Sequence, residues 1–191
     1  MLAPILIAYS TRTGATSEVA NEIAEVLRQT GVTVELTRMR DLKSIGPCSA
    51  LILGSPLYMG RLTRETHRFL RRHRRQLAYL PARFFVLGPL GGKPWEFRQS
   101  AQLAAHNLAK YAGLKLKEIK VFGGRFDPHK LPFPYSLLLS VPGLPLKNDP
   151  PSDCRNWNDI RAWASQIGEE FAPPEEDFEL ELKLTGTYHG R

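Results

Sequence analysis

The sequence predicts a doubly wound α/β domain, in which a five-stranded parallel sheet in the order 2-1-3-4-5 carries helices on both faces. Short apolar runs alternate with amphipathic segments along the 191 residues. Several of these runs are apolar at every position, which is typical of strands buried on both faces of a parallel sheet. Strands that alternate with helices in this way form parallel sheets through right-handed crossovers.

The first elements surround a polar loop. Ile5–Tyr9 is an apolar run that predicts strand 1, and the hydroxyl loop, Ser10–Thr16, follows it. Gly31 then ends the first helix, and Val32–Leu36 alternates as strand 2 should. The apolar face of the first helix consists of Val19, Ile23, Val26 and Leu27.

The later elements repeat this pattern of apolar runs and amphipathic segments. The sequence predicts strands at Ala50–Gly54, Arg83–Leu87 and Leu116–Phe122, and helices at Thr63–Leu77, Phe97–Tyr111 and Asp153–Phe171. The last helix places Trp157, Ile160, Trp163, Ala164 and Ile167 on one face. Residues 1–172 therefore make one domain, with a proline-rich extended loop at 128–151 inserted before the last helix. Residues 173–191 form an acidic tail in which 177–184 alternates strictly, as an edge strand does.

The charge of the chain is basic and uneven. Its formal net charge is +7 and its pI is about 9.6. Eight arginines lie between Arg61 and Arg83, where Glu65 is the only acid. Such a face attracts nucleic acid, acidic lipid or small polyanions, and a solvated arginine-rich helix is the alternative. No nucleic-acid recognition motif accompanies the arginines, so we expect no nucleic-acid partner.

The cysteines and histidines predict neither a metal site nor a disulfide framework. Cys48 and Cys154 lie far apart, and the five histidines have no metal-ligand spacing. The chain starts directly on a strand-like segment, and no apolar run reaches the length of a membrane span. We therefore expect a cytoplasmic protein without a bound metal; its oligomeric state cannot be read from the sequence.

The hydroxyl loop is the strongest candidate for a binding site. A strand, a hydroxyl-rich turn and a helix in succession gather backbone N–H groups and the positive end of a helix dipole around one point, which favours a phosphate. The alternative is an ordinary turn capped by threonines. The loop lacks the P-loop lysine and the dinucleotide Gly-x-Gly-x-x-Gly pattern, so a single phosphate suits it best.

The predicted strand order places a crevice beyond the carboxyl ends of strands 1 and 3. The loops at 55–62 and 88–95 reach the same crevice, and they carry Tyr58 and Trp95, which could pack against a planar ring. A flat ring with one phosphate, as in flavin mononucleotide (FMN), therefore fits. The predicted cofactor-binding residues are Ser10, Thr11, Arg12, Thr13, Gly14, Ala15, Thr16, Pro56, Leu57, Tyr58, Met59, Gly60, Pro89, Leu90, Gly91 and Trp95.

These segments resemble a known family. Ser10–Thr16 resembles the phosphate loop of flavodoxin-fold proteins, and its Ser-Thr-Arg-x-Gly-x-Thr form is similar to that of the flavodoxin-type, menaquinone-dependent protoporphyrinogen oxidases. Gly54–Arg61 resembles the second loop of that family, Gly123–Asp127 matches a segment after strand 5, and Arg155–Trp163 resembles the final helix. The resemblance covers residues 4–171.

The resemblance implies an FMN-dependent oxidoreductase that passes electrons from a reduced porphyrinogen to a quinone. The cofactor carries that chemistry, so no catalytic acid or base is expected. The backbone at Met59 and Gly60 would face the flavin, and Arg61, Arg64 and Arg125 would meet porphyrin carboxylates. The basic helix, the arginine-rich helix predicted at Thr63–Leu77, and the 128–151 loop would contact an acidic membrane at its inner face. The alternatives are a flavodoxin-type electron carrier and a flavin-free anion-binding module.

Overall fold

The computed structural model of the protein describes residues 3–111, 113–127 and 152–172. The main sheet contains β1 (Ile5–Tyr9), β2 (Val34–Arg38), β3 (Ala50–Tyr58), β4 (Arg61–Leu62), β5 (Ala82–Leu87) and β6 (Leu116–Phe122). The helices are α1 (Ala15–Gln29), α2 (Arg64–Arg72), α3 (Arg74–Leu77), α4 (Pro94–Leu108) and α5 (Trp157–Phe171). A separate antiparallel pair joins β7 (Arg125–Phe126) to β8 (Ser152–Asp153). The predicted 128–151 loop and the predicted edge strand of the tail lie outside the described residues.

The sheet confirms the predicted topology. Its strands lie in the order β2-β1-β3-β5-β6, and every pair along this path is parallel. The predicted strands 1, 2 and 3 are β1, β2 and β3, and the predicted strands 4 and 5 are β5 and β6. The observed order is therefore the predicted order 2-1-3-4-5. The short strand β4 pairs antiparallel with the end of β3 and lies off the path.

Two hydrophobic cores sandwich the sheet. On one face α1 and α5 pack through residues such as Ile23 and Trp163, and on the other α2, α3 and α4 pack through residues such as Leu70. Successive residues of β1 serve both cores, since Ile5 lies in the first and Leu6 in the second. The apolar runs are continuous for this reason.

The predicted basic helix is divided in two. Thr63 caps α2 by accepting a hydrogen bond from the amide of Thr66, so the helix begins at Arg64. His73 leaves the helical conformation (φ −100°, ψ 13°) and separates α2 from α3. Its buried ring lies 4.7 Å from the ring of Phe69, and its Nδ1 is 3.1 Å from Oε1 of Gln76. The helix therefore breaks where the ring of His73 is buried. The spacing of apolar residues in the sequence does not indicate this break.

Several other boundaries also differ from the prediction. Strand β2 lies two residues later than predicted, and α4 begins three residues earlier because Pro94 suits a first helical turn. Helix α5 begins at Trp157 rather than Asp153, since the Asn156 side chain accepts hydrogen bonds from the amides of Asn158 and Asp159. In the part of the chain that the structure describes, no helix is long and apolar enough to cross a membrane.

The largest difference concerns the predicted loop at 55–62. Strand β3 continues through Tyr58, and the chain turns at Met59 and Gly60 to return as β4. Both turn residues have positive φ, 48° for Met59 and 75° for Gly60. The Asn107 side chain donates a hydrogen bond of 2.9 Å to the carbonyl of Gly60 and thereby fixes the turn against α4. The predicted loop at 55–62 is therefore a hairpin at the carboxyl end of the sheet, tied to α4 by this hydrogen bond.

Candidate flavin site

A cavity of about 230 Å³ lies at the carboxyl ends of β1, β3 and β5. The hydroxyl loop forms one wall, the β3–β4 hairpin the second, and the segments after β5 and β6 the others. The lining residues are Thr13, Ala15, Thr16, Pro56, Leu57, Tyr58, Met59, Leu87, Gly88, Leu90, Gly124, Arg125, Phe126 and Asp127. Most of the lining is apolar, so the cavity suits a largely apolar ring.

The structure brings together half of the predicted cofactor-binding residues. Thr13, Ala15, Thr16, Pro56, Leu57, Tyr58, Met59 and Leu90 line the cavity, as does Arg125. Within the described chain, the lining does not include Ser10, Thr11, Arg12, Gly14, Gly60, Pro89, Gly91, Trp95, Arg61 or Arg64. The sequence prediction missed Leu87, Gly124, Phe126 and Asp127 as lining residues. Because β5 and β6 run parallel to β3, the segments at their carboxyl ends reach the same cavity. The predicted strand order could therefore have indicated these residues.

The start of α1 presents unpaired amides beside this cavity. Gly14 adopts a left-handed conformation (φ 94°), and no side chain caps the helix. The amide of Gly14 donates to the Thr11 hydroxyl, and that of Glu18 donates to the Gly14 carbonyl. Among the described residues, nothing accepts from the amides of residues 15–17. Open amides at the positive end of a helix dipole bind anions, so the observed geometry fits a phosphate.

Ser10 has a different role from its neighbours in the loop. Its hydroxyl is fully buried and lies 2.8 Å from the hydroxyls of both Thr63 and Thr66 and 3.3 Å from that of Ser55. Its amide donates to the carbonyl of Gly54. Ser10, Ser55, Thr63 and Thr66 form a buried hydroxyl cluster that ties the start of the loop to β3 and α2. The donors of Ser10 are therefore engaged inside the protein rather than presented to a phosphate.

Replacing Thr66 by valine is expected to lower the free energy of unfolding by about 1–3 kcal/mol, because the other hydroxyls of the cluster lose a buried partner. Its hydroxyl donates to Ser55 at 2.9 Å and lies within 2.9 Å of those of Ser10 and Thr63. Urea unfolding measures the change. The matched control, Thr66→Ser, keeps the hydroxyl. If its loss of stability equals that of Thr66→Val, the methyl group of Thr66 contributes more to stability than the hydroxyl does.

Trp95 lies outside the cavity. It is 52% exposed in the first turn of α4. The carboxylate of Glu96, beside it, accepts a hydrogen bond from the amide of Gly91 and draws that segment toward the helix. The predicted convergence of Tyr58 and Trp95 on one ring is therefore not observed. Tyr58 lines the cavity as predicted. Of the residues predicted in the loop after β5, Leu90 lines it as well.

Three arginines form the polar surroundings of the hydroxyl loop. Arg125 lines the cavity and pairs with Glu18 at 2.8 Å. The buried Arg155 pairs with the same carboxylate at 2.8 Å, and its hydrogen bond holds the pKa of Asp153 below its ordinary value. Arg38 donates to the carbonyl of Thr11 at 3.2 Å, and its buried Nε has no partner among the described residues.

The sequence prediction missed Arg38 and Arg155. Arg38 ends β2, which pairs with β1 in register up to Tyr9, so the strand order could have placed it beside the hydroxyl loop. Arg155 lies more than a hundred residues from Glu18 along the chain, and no local pattern indicates their contact. Arg38 adds positive charge beside the hydroxyl loop, whereas the charge of Arg155 is compensated by Glu18 and Asp153.

The open amides of α1 lie beside an apolar cavity, at the point between β1 and β3 where the strand order of the sheet reverses. This arrangement is typical of mononucleotide-binding α/β proteins. The family model of the flavodoxin domain matches residues 6–136, and the chain belongs to that family. FMN is the cofactor of flavodoxin domains, so the predicted cofactor is confirmed.

Solved flavodoxins share the fold at low sequence identity. Oxidised flavodoxin 1 from Bacillus cereus is 15% identical with a TM-score of 0.54, and the match covers 88% of this chain and 97% of that one. A flavodoxin from the domain Archaea is 13% identical, with a TM-score of 0.54 and coverages of 87% and 97%. A mutant flavo di-iron protein from Thermotoga maritima is 14% identical, with a TM-score of 0.52, and the match covers 88% of this chain but 35% of that one. A sequence search against curated proteins finds no match.

Proposed function

We propose that this chain is an FMN-dependent oxidoreductase that passes electrons from a reduced substrate to a quinone, with a porphyrinogen as the substrate. The observation that carries the proposal is the apolar cavity beside the open amides of α1. The motifs at Ser10–Thr16 and Gly54–Arg61, which resemble those of quinone-dependent protoporphyrinogen oxidases, favour this substrate and acceptor.

In this proposal the hydroxyl loop holds the cofactor phosphate. The amides of residues 15–17 donate to it, and the Thr13 and Thr16 side chains at the cavity supply hydroxyls. Tyr58 and Leu90 provide surfaces against which the flat ring packs. Bound FMN supplies reversible electron transfer between an organic donor and acceptor. The chain itself binds, orients and shields the reacting groups.

The rim of the cavity supports an apolar acceptor. Met59 is 83% exposed and Leu90 is 42% exposed, and both line the cavity. An exposed apolar rim of this kind favours contact with an apolar molecule such as a quinone. Small flavodoxin-type carriers are commonly acidic, whereas the pI near 9.6 of this chain favours anionic partners.

Arg125, Arg61 and Arg64 remain the proposed contacts for substrate carboxylates. Arg125 lines the cavity, with Glu18 holding its guanidinium. Arg61 is exposed and lies opposite Tyr58 in the β3–β4 hairpin, while the exposed Arg64 begins α2. A guanidinium matches a carboxylate in two-point hydrogen bonding, so these side chains would orient an acidic substrate at the rim.

We also propose peripheral contact with an acidic membrane. The exposed arginines of α2 and α3 supply the positive charge that attracts anionic lipid. Flotation with anionic vesicles at low salt tests this contact: binding that is lost at high salt supports it, and the absence of binding at low salt contradicts it.

The function is tested by electron transfer to a quinone. The FMN-loaded protein is photoreduced without oxygen, with EDTA as the electron donor, and then mixed with menadione, and the return of flavin absorbance is followed. We expect a rate that saturates with menadione and exceeds that of free reduced FMN. Met59→Asp should raise the menadione concentration at half-saturation, whereas Tyr79→Asp, a matched change at an exposed residue away from the cavity, should not. Electron delivery to carrier-type protein acceptors without menadione turnover would favour the flavodoxin-type carrier instead.

The porphyrinogen is tested in a second assay with the same protein. Oxidation of a porphyrinogen is followed by porphyrin fluorescence under anaerobic conditions with menadione as acceptor. We expect Arg125→Gln to raise KM more than kcat falls, since the guanidinium is proposed to orient carboxylates. Menadione turnover without porphyrin formation would contradict the substrate and leave the quinone reaction in place.

A further inference from the structure

A second cavity, of about 780 Å³, lies near the amino ends of β5 and β6, at the opposite end of these strands from the flavin site. It opens between the end of α2, α3 and the segment after α4. Leu77, which ends α3, and Leu114, which precedes β6, both line it. Because β5 and β6 start near this cavity and end near the flavin site, the two cavities are separated by the length of the strands.

The lining of this second cavity combines an apolar floor with a cationic rim. Leu70 and Leu77 lie almost fully buried beneath the floor, and the partly buried Leu114 and Tyr111 provide the apolar surface that a ligand can cover. The charged lining residues are Arg71, Arg74, Arg75 and Lys110. Among the described residues, no acid lines the cavity, and none of these four cations pairs with a described carboxylate.

The pKa values of two polar groups in the wall are shifted in the direction that favours their neutral forms. Nδ1 of His67 lies 2.8 Å from the hydroxyl of Tyr111, which joins α2 to the segment after α4. Burial lowers the pKa of His67, and the charges of Lys110 and Arg71 lower it further. Burial likewise raises the pKa of Tyr111. The charge that faces the cavity is therefore that of the four cations.

Helix-dipole stabilisation does not account for this arrangement. Arg71 and Arg72 lie in the last turn of α2, where cations are favourable. That effect does not require Lys110, from the segment after α4, to face the same cavity, nor does it explain the apolar floor. Four like charges around one cavity repel each other, and a bound anion would relieve this repulsion.

We propose that the second cavity binds an amphiphilic anion, a molecule with an apolar chain or ring and one phosphate or carboxylate group. The apolar part lies on the apolar floor and the anionic group meets the arginine and lysine rim. A free acid and a membrane lipid share this chemistry. The proposal depends neither on FMN binding nor on electron transfer.

The proposal is tested with dodecyl phosphate below its micelle concentration, with inorganic phosphate and with phosphatidylglycerol vesicles. Calorimetry measures affinity for the cavity variant Arg71→Glu/Arg74→Glu and for the control Arg68→Glu/Arg98→Glu. The control makes the same change of net charge at exposed residues of α2 and α4 that do not line the cavity. FMN affinity is measured on both variants, because an unchanged value shows that each one is folded.

We expect dodecyl phosphate to bind at least about tenfold more tightly than inorganic phosphate, since the apolar floor adds apolar burial. The cavity variant should lose about tenfold or more in affinity for dodecyl phosphate, and the control should change little. In NMR titrations the pKa of His67 should rise when dodecyl phosphate is bound, because the anion offsets the charges of Arg71 and Lys110.

The vesicle arm identifies the source of the ligand. Vesicle binding that the cavity variant loses indicates a membrane lipid, and binding of dodecyl phosphate alone indicates a free amphiphile; either result supports the proposal. Equal affinity for dodecyl phosphate and inorganic phosphate, equal losses in the two variants, or vesicle binding without dodecyl phosphate binding would overturn it.

Discussion

Replacing Thr13 by aspartate is expected to weaken FMN binding by about 100-fold or more and to leave the protein folded. Thr13 lines the flavin cavity and stands one residue before Gly14, the N-cap of α1, where no side chain caps the helix. A carboxylate at this position would accept hydrogen bonds from the open amides and repel the phosphate. A negative charge near the start of a helix stabilises it, so the melting temperature without FMN should be maintained or raised.

The matched control for this prediction is Thr13→Asn, which has nearly the same shape without the charge. We expect it to weaken FMN binding by no more than about tenfold, because the repulsion is absent. Flavin fluorescence titration gives both affinities, and thermal unfolding of the apoprotein reports stability. Equal losses for aspartate and asparagine would show that the site does not respond to charge at this position.

Replacing Gly123 by alanine is expected to lower the free energy of unfolding by about 3 kcal/mol or more. A Cβ atom at this position would lie 1.8 Å from the backbone carbonyl oxygen of Cys154. Backbone cannot move aside as the end of a flexible side chain can, so the β7–β8 pair must shift. The neighbouring Gly124 lines the flavin cavity, and its carbonyl accepts a hydrogen bond from the Cys154 amide. The displacement should therefore also weaken FMN binding.

Gly46→Ala is the control for the glycine prediction, because a Cβ there would meet nothing within 4 Å. Urea unfolding should give nearly the same stability for Gly46→Ala as for the unmodified protein. A loss below about 1 kcal/mol for Gly123→Ala would mean that the chain between β6 and α5 adapts to a side chain at little cost.

The sheet could be predicted because each of its strands carries a local signal. The apolar run at Ile5–Tyr9 coincides with β1 residue for residue, and Leu116–Phe122 coincides with β6. The break at His73 and the return of the chain at Arg61–Leu62 carry no such signal. They depend on ring burial in one case and on a hairpin held by a distant asparagine in the other.

The candidate site was predictable in outline for the same reason. Thr13 and Thr16 belong to a strand–loop–helix pattern that local sequence specifies, and both line the cavity. The role of Ser10 depends on hydroxyls 45 to 56 residues away, which become neighbours only through the strand order and the position of α2. The position of Trp95 depends on where α4 begins. An aromatic residue in a loop gives no indication of whether it faces a ligand or solvent.

The central claim is that the open amides at the start of α1 hold the phosphate of FMN. The most direct measurement is an amide NMR titration of the protein with FMN and, separately, with riboflavin, which has the same ring without the phosphate. We expect large shifts of the amides of residues 15–17 with FMN and much smaller ones with riboflavin, while the residues at Tyr58 and Leu90 respond to both. Equal shifts at residues 15–17 with the two ligands, or none with FMN, would contradict this claim.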